Sequence, residues 1–303
     1  MHYPVIIYAG MSVTRTDLGL PSDWQIVEGW LMDTPTTKDV VKSKIKVAKK
    51  CPEIPCLDRY DVDPGQDFWN KFPTGSLPNK AETGILVDEL EKLVDRCQNI
   101  LTMTELDRAY RSMESLREGA GACQKSQLPP VRCSNSKLTL IYGEEITDSI
   151  AVFVKKGYVA GPFDAPPLDE FCVNSLKAVD QGEKIRQVLN VSLPIGASFN
   201  DNVDELGLEK VSMSMARKVS YSIMDAGRNA GLCKFNLVDA YKNVPAKIFD
   251  LRLQGFFWLG KYFVENRQIF GAKTAVSNFD RVGKTILLLS LCYEKREREN
   301  EMG

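Results

Sequence analysis

Histidine is nearly missing. The 303-residue chain has one, His2, and that count excludes most nucleophilic catalysis. Ser-His-Asp and Cys-His systems, and any histidine general base, need an imidazole that titrates near neutrality beside the reacting group. Chemistry is left to carboxylates, divalent ions or lysine. Long apolar runs are absent too, and no stretch approaches the length of a membrane span. The opening "MHYPVIIYAGMSV" lacks the basic flank and extended apolar core of a secretory signal. The expectation is a soluble intracellular protein with no membrane partner, nucleus and cytoplasm not being distinguished. Paired cysteines are missing as well. Eight cysteines are scattered along the chain, none forms a C-x-x-C, and the closest pair is "CPEIPC" at 51–56. With no histidine to help, a zinc site is a poor reading and scattered reduced thiols a better one. No two aspartates are adjacent anywhere.

What the chain does have is ordinary globular composition, 44% hydrophobic and 26% charged with a net charge of −1. The first half, 1–150, carries −4 and the second, 151–303, carries +3. That is compatible with a phosphate-backbone partner but too small to argue for one. The basic run "KSKIKVAKK" at 42–50 reads most simply as a solvated helix face. Residues 1–80 mix short apolar pieces with Pro- and Asp-rich connectors. A helical hairpin follows at about 82–118: Leu86, Leu90, Leu93 and Cys97 recur at helical spacing, and the second helix opens on Thr104 with Asp107 three residues on. "KSQLPPVRCSNSK" at 125–137 is loop-like and marks a boundary.

Beyond it the texture changes. "LTLIYG" predicts a strand, and "EEITDSIAVFVKKG" a helix closed by Gly157. "FCVNSLKAV" and "KIRQVLNVS" form a hairpin through "DQGE". A helix is expected from about Glu205 through Val211, Met215, Val219 and Ile223. A short strand follows, with Phe235 and Leu237 on one side and Asn236 on the other. "LQGFFWLGKYFVENR" is a second hairpin turning at Gly260. A long amphipathic helix then runs through Val276, Phe279, Gly283, Ile286 and Leu289, and "EKRERENEMG" is a solvated tail. Strands and helices in this mixed order argue an α+β fold.

Three segments, in order, resemble the reverse transcriptase (RNA-directed DNA polymerase) family. "VKKGYVAGPFDAPP" with "FCVNSLKAV" is similar to the entry into the fingers in DIRS-like retrotransposons. "KIRQVLNVSLPIGASFNDNV" resembles the fingers hairpin and its exit. "KFNLVDAYKNVP", then "WLGKYFVENRQIFGAKTAVSNFD", resembles the first palm strand, the hairpin after it and the Phe-Gly turn before the template-side helix. The organisation this implies is a mainly helical N-terminal region over 1–135, fingers and partial palm of a right-hand polymerase over 138–292, and a charged tail at 293–303.

The resemblance also implies a site. The family clamps two divalent ions with an Asp on the first palm strand and an Asp pair in a Tyr-x-Asp-Asp hairpin, because magnesium wants hard anionic oxygens. Residue by residue, Arg186, with Lys184 beside it, takes the triphosphate-binding fingers position. Asp239 and Ala240 supply backbone amides to the triphosphate, Tyr241 is the sugar gate, and Phe270 and Gly271 form the turn under the incoming base. Each has a plainer account: a solvated hairpin charge, a strand-end tyrosine, a helix entry. Two departures follow. Asn236 stands where the first catalytic Asp belongs, five before Tyr241, and no Tyr-x-Asp-Asp follows the Phe-Gly helix. Magnesium, expected for active members, would not be retained, and the chain is expected to be a truncated, catalytically inactive relative of retroelement origin. A non-enzymatic nucleic-acid-binding or interaction protein, and one piece of an active split polymerase, stay open. RNA or DNA template-primer and a protein covering the incomplete palm are the implied partners.

Overall fold

Strand-forming sequence is concentrated between residues 159 and 265, and helices flank it on both sides. The structure, a computed structural model, describes residues 5–7, 63–182, 184–211, 221, 224, 231–233 and 239–302. In chain order the elements used below are β1 (Val5–Ile7), α1 (Gln66–Trp69), α2 (Val87–Cys97), α3 (Met103–Glu118), α4 (Lys137–Ile141), α5 (Gly143–Lys155), β2 (Val159–Phe163), β3 (Val173–Asp180), β4 (Ile185–Asn190), β5 (Gly231–Cys233), β6 (Gly255–Trp258), β7 (Lys261–Glu265) and α6 (Lys273–Met302). The chain divides into two units, Met1–Ile54 with Ser212–Val238 and Pro55–Val211 with Asp239–Gly303. In the first, β1 and β5 pair in parallel from Val5↔Gly231 to Ile7↔Cys233. The expected strand at 235–237, with Asn236, lies outside the described residues.

The second unit is mixed α and β. Its sheet has the order β2-β7-β6-β3-β4. Both expected hairpins form: β3 pairs antiparallel with β4 from Ser175↔Asn190 to Asp180↔Ile185, and β6 with β7 from Gly255↔Val264 to Trp258↔Lys261. A short parallel contact, Val173↔Gly255 and Asn174↔Phe256, joins the two hairpins. The Asn174 amide nitrogen, fully buried, donates to the Leu253 and Gly255 carbonyls at 2.8 and 3.0 Å. It thereby satisfies backbone acceptors where that parallel ladder runs out.

One core lies on this sheet. On α5, Ile146, Ile150 and Val154 recur every four residues, so one stripe of the helix is buried. They cluster with Leu176, Leu189, Phe256, Trp258 and Phe263. Phe256 and Phe263 stack at 5.3 Å, and Trp69 of α1 and Phe72 add their rings against Phe263 at 6.3 and 6.1 Å. A second core is helical. Leu90 and Val94 of α2 and Met113 and Leu116 of α3 enclose Val282 and Leu289 of α6. Polar pairs fix the register there: Ser112 Oγ and Thr285 Oγ1 lie 2.9 Å apart, and Arg281 Nη2 donates to Ser115 Oγ at 2.7 Å. The helical hairpin thus covers the apolar face of the last helix.

Several local expectations are corrected. "LTLIYG" is helical, not a strand. Ser136 caps α4 by accepting from the Thr139 N–H, and Thr139 is buried, donating its hydroxyl to the Leu176 carbonyl at 2.8 Å. Helix α3 starts two residues early, at a capping box between Thr102 and Glu105. Glu105 reaches back to the Thr102 N–H at 2.8 Å. Asp107, one methylene shorter, pairs with Arg111 instead. Leu86 precedes α2 as its cap and is exposed. After Glu205 there is one 3-10 turn, Glu205–Gly207, ended by extended Leu208; the rest of that expected helix, apart from helical positions 221 and 224, lies outside the described residues. The stretch read as a charged, solvated tail continues α6 to Met302. Among the described residues no helix is long and apolar enough to cross a membrane.

Candidate nucleotide-facing site

The described chain resumes at Asp239 in a tight turn. Asp239 sits in the left-handed region at φ +51° and begins a 3-10 turn over Ala240–Asn243. Aspartate tolerates that conformation better than most residues. Here it is also tethered, because Lys156, at the end of α5, donates to Asp239 Oδ2 at 2.7 Å. The contact raises the Lys156 pKa, chiefly through that hydrogen bond.

From the turn the chain runs alongside the segment that leads to the Phe-Gly turn. The Ala246 N–H donates to the Asn266 carbonyl, and the Gln268 N–H to the Val244 carbonyl, each at 3.0 Å. Pro245 and Arg267 face each other in this short antiparallel bridge. Laying 244–246 against 266–268 carries Tyr241 to the far end of the bridge, where Phe270 lies. The Tyr241 ring packs at 5.8 Å from Phe270 and edge-on at 5.5 Å from Phe279 of α6. Burial raises its phenol pKa. Phe270 keeps 51% of its surface exposed.

Gly271 ties this corner to the β3–β4 hairpin. Its φ of +102° is one that a side chain rarely adopts. A Cβ there would lie 3.9 Å from the Leu189 carbonyl oxygen and 4.0 Å from Val188 Cγ1. The turn therefore rests against β4. Strand alternation puts Arg186 on the same face of β4 as Val188. Arg186 and Lys184 are exposed, and their side chains make no hydrogen bond or ion pair among the described residues. So Tyr241, Phe270 and Gly271 are in one place, with Arg186 on the strand face next to them. Asp239 and Ala240 open the turn that holds Tyr241. Asn236 lies outside the described residues.

Asn200 acts as the staple, and sequence reasoning assigned it no role. Its amide nitrogen donates to Ser192 Oγ at 2.9 Å and to the Gly271 carbonyl at 3.0 Å, and its oxygen accepts from the Lys273 N–H at 3.0 Å. One buried side chain thus joins the exit of the β3–β4 hairpin, the Phe-Gly turn and the first residue of α6. Lys156 and Lys242 were missed as well. Lys242 pairs with Glu265 in a nearly buried contact and stands over the Phe153 ring at 5.3 Å.

No family model matches the chain, and no curated protein does. Two solved structures are similar to it. The foamy viral protease-reverse transcriptase dRH in complex with double-stranded DNA is 14% identical, with 65% of this chain and 34% of that one covered and a TM-score of 0.35. The foamy viral protease-reverse transcriptase in complex with double-stranded DNA is 13% identical, with 66% and 41% covered and a TM-score of 0.32. The aligned part spans between a third and two fifths of those chains.

A magnesium pair would need several convergent carboxylates. Among the described residues no group of three acidic, cysteine or histidine side chains is placed to hold a metal ion. Two carboxylates at the turn are already committed, Asp239 to Lys156 and Glu265 to Lys242. The described residues therefore do not fit a two-ion site. The arrangement places a half-exposed ring, Phe270, beside a strand face bearing Arg186, whose side chain has no hydrogen-bond or ion-pair partner among the described residues.

Proposed function

We propose that this chain is a reverse-transcriptase-like fingers and partial-palm module, of the DIRS-like retroelement type, which engages primed nucleic acid but does not polymerise by itself. The observation that carries the proposal is the meeting of three separated segments. Tyr241, the Phe270-Gly271 turn and the Val188 face of β4 that bears Arg186 come together, in the order in which the family resemblance places them along the sequence. Accidental matches to a sequence pattern would have no reason to converge in space. Arg186 and Lys184, exposed and without an ion pair among the described residues, suit a phosphate partner, because turning to one breaks no described ion pair. Tyr241 and the half-exposed Phe270 suit a base or sugar, since every base has a face on which an aromatic can stack.

The lack of polymerisation is argued from donors. An amide at position 236 brings a neutral oxygen to a place where the family uses a charged one. The 303 residues contain no adjacent aspartates to complete the site. Primer extension on an RNA and on a DNA template, with magnesium and then with manganese, tests this directly. The wild-type chain and Asn236→Asp are both expected to give no extension, because one restored carboxylate leaves the others missing. Incorporation by the wild-type chain would overturn the donor argument.

A further inference from the structure

Away from the Tyr241 corner, the second unit contains a polar cleft of about 270 Å³ on which Thr74, Ser76, Lys80, Glu82, Asn266 and Arg267 converge. Arg267 is the anomaly. Only 7% of its surface is exposed, yet its side chain makes no hydrogen bond or ion pair among the described residues. Nε and Nη1 are sealed from solvent with no acceptor. It lies over the face of the Tyr158 ring, 5.8 Å away, and the Glu82 charge acts favourably on it. Burial pushes its pKa down from the ordinary arginine value. Neighbouring Asn266, also buried, leaves Oδ1 without a donor. Glu82 borders the cleft but is not within ion-pair distance of the guanidinium. A buried guanidinium with no hydrogen-bond acceptor among the described residues is costly even with the Glu82 charge nearby. An anion entering the cleft would add a second, closer countercharge.

The other donors point the same way. The Thr74 and Ser76 hydroxyls and the Lys80 ammonium all border the cleft, and none has a partner within the described residues. A guanidinium, an ammonium and two hydroxyls are more donors than a carboxylate readily uses. They match the three terminal oxygens of a phosphomonoester, for which arginine is the preferred partner. The volume is several times the roughly 30 Å³ that one water occupies, which leaves room beside the phosphate for a small organic group. We propose that this cleft binds a small phosphomonoester, with Arg267 as the buried anchor and Lys80, Thr74 and Ser76 closing on the phosphate from the surface.

The test uses inorganic phosphate and phenyl phosphate as probes on the full chain, followed by thermal shift and calorimetric titration at constant ionic strength. Both probes are expected to raise Tm and to bind saturably at one site, while acetate does neither. Arg267→Met is expected to raise Tm without ligand, since it removes an unpaired buried charge, and to abolish the phosphate response. Lys80→Ala and Ser76→Ala alter exposed side chains and leave the fold intact. Lys80→Ala is expected to weaken phenyl phosphate binding about tenfold, and Ser76→Ala to weaken it less. Unchanged affinity in both Arg267→Met and Lys80→Ala would overturn the proposal. An equal response to acetate would overturn the phosphate assignment. Displacement of phenyl phosphate by a short single-stranded oligonucleotide would also overturn it, because the cleft would then belong to a nucleic-acid surface.

Discussion

Tyr241 is held by rings rather than by a hydrogen bond. Its hydroxyl has no partner among the described residues, while its ring touches Phe270 and Phe279. Tyr241→Phe is therefore expected to leave stability unchanged to within about 0.5 kcal/mol, and Tyr241→Ala to cost about 1–3 kcal/mol, as measured by chemical denaturation. A pH effect belongs to the neighbouring loop. Asp201 accepts from the Ser198 hydroxyl at 2.7 Å, the Ser198 N–H at 3.3 Å and the Gly196 N–H at 2.8 Å. These bonds, the Ser198 hydroxyl first, hold its pKa below the ordinary aspartate value. A carboxylate with a lowered folded pKa contributes its full stability above the unfolded value and loses it as pH falls through the folded one. Asp201→Asn is thus expected to lower stability at neutral pH and to flatten the acid limb of the stability–pH profile. An acid limb identical to wild type would show that the three bonds are not holding the loop. At this scale the structure brings Tyr241, Phe270 and Gly271 together beside the strand face that bears Arg186, and all four were singled out by the family resemblance. Asn200 and Lys156 were not, because their partners lie far along the chain, Asp239 being 83 positions from Lys156. Arg267 gave no signal at all, since nothing local says that an arginine will be buried.

The elements were most legible where turn chemistry and alternation agreed. Both hairpins and α5 formed as expected, each bounded by a glycine in a positive-φ position: Gly182, Gly260 and Gly157. Two starts were misplaced. The Thr102–Glu105 box, not Thr104 with Asp107, opens α3, because Glu105 is long enough to reach back. "LTLIYG" has β-rich composition, but a Ser136 cap turns it into a helix. The face of α6 was misjudged for a different reason. Its buried line runs through Ala275, Asn278, Val282, Thr285 and Leu289, while Val276 is exposed. Asn278 and Thr285 are buried because Gln268 and Ser112 satisfy them, which a hydropathy pattern cannot register. The closest element contact offers a prediction. A Cβ on Gly255 would stand 2.1 Å from Phe171 Cζ and 2.5 Å from the Cys172 carbonyl oxygen. Backbone cannot yield there without breaking the β3–β6 pairing. Gly255→Ala is expected to cost about 3 kcal/mol, and a variant as stable as wild type would mean that β3 and β6 are not held together as described.

For the molecule as a whole, composition and element order were enough for the α+β class but not for what covers the last helix. Sequence analysis expected a partner over the incomplete palm and named nothing to cover this helix. The α2–α3 hairpin buries it, with Leu116 and Leu289 both fully inaccessible. The hairpin and α6 lie far apart in the chain, and no short-range pattern links them. Leu289→Ala and Leu116→Ala are each expected to cost about 2–5 kcal/mol. If the pair packs as one cluster, the double variant loses less than the sum of the two. Full additivity in a double-mutant cycle would argue that the hairpin and the last helix do not share a core.

The measurement that tests the central claim most directly is equilibrium binding of a primed template, followed by fluorescence anisotropy across a series of salt concentrations, for wild type, Arg186→Ala and Tyr241→Ala. The account predicts salt-dependent binding by the wild-type chain, with log affinity falling linearly in log salt. Arg186→Ala should weaken binding and make that slope shallower by about one phosphate contact. Tyr241→Ala should weaken binding with the slope unchanged, because stacking does not release counterions. A chain that ignores the primed template, or one whose affinity and salt slope are the same in all three proteins, would contradict it.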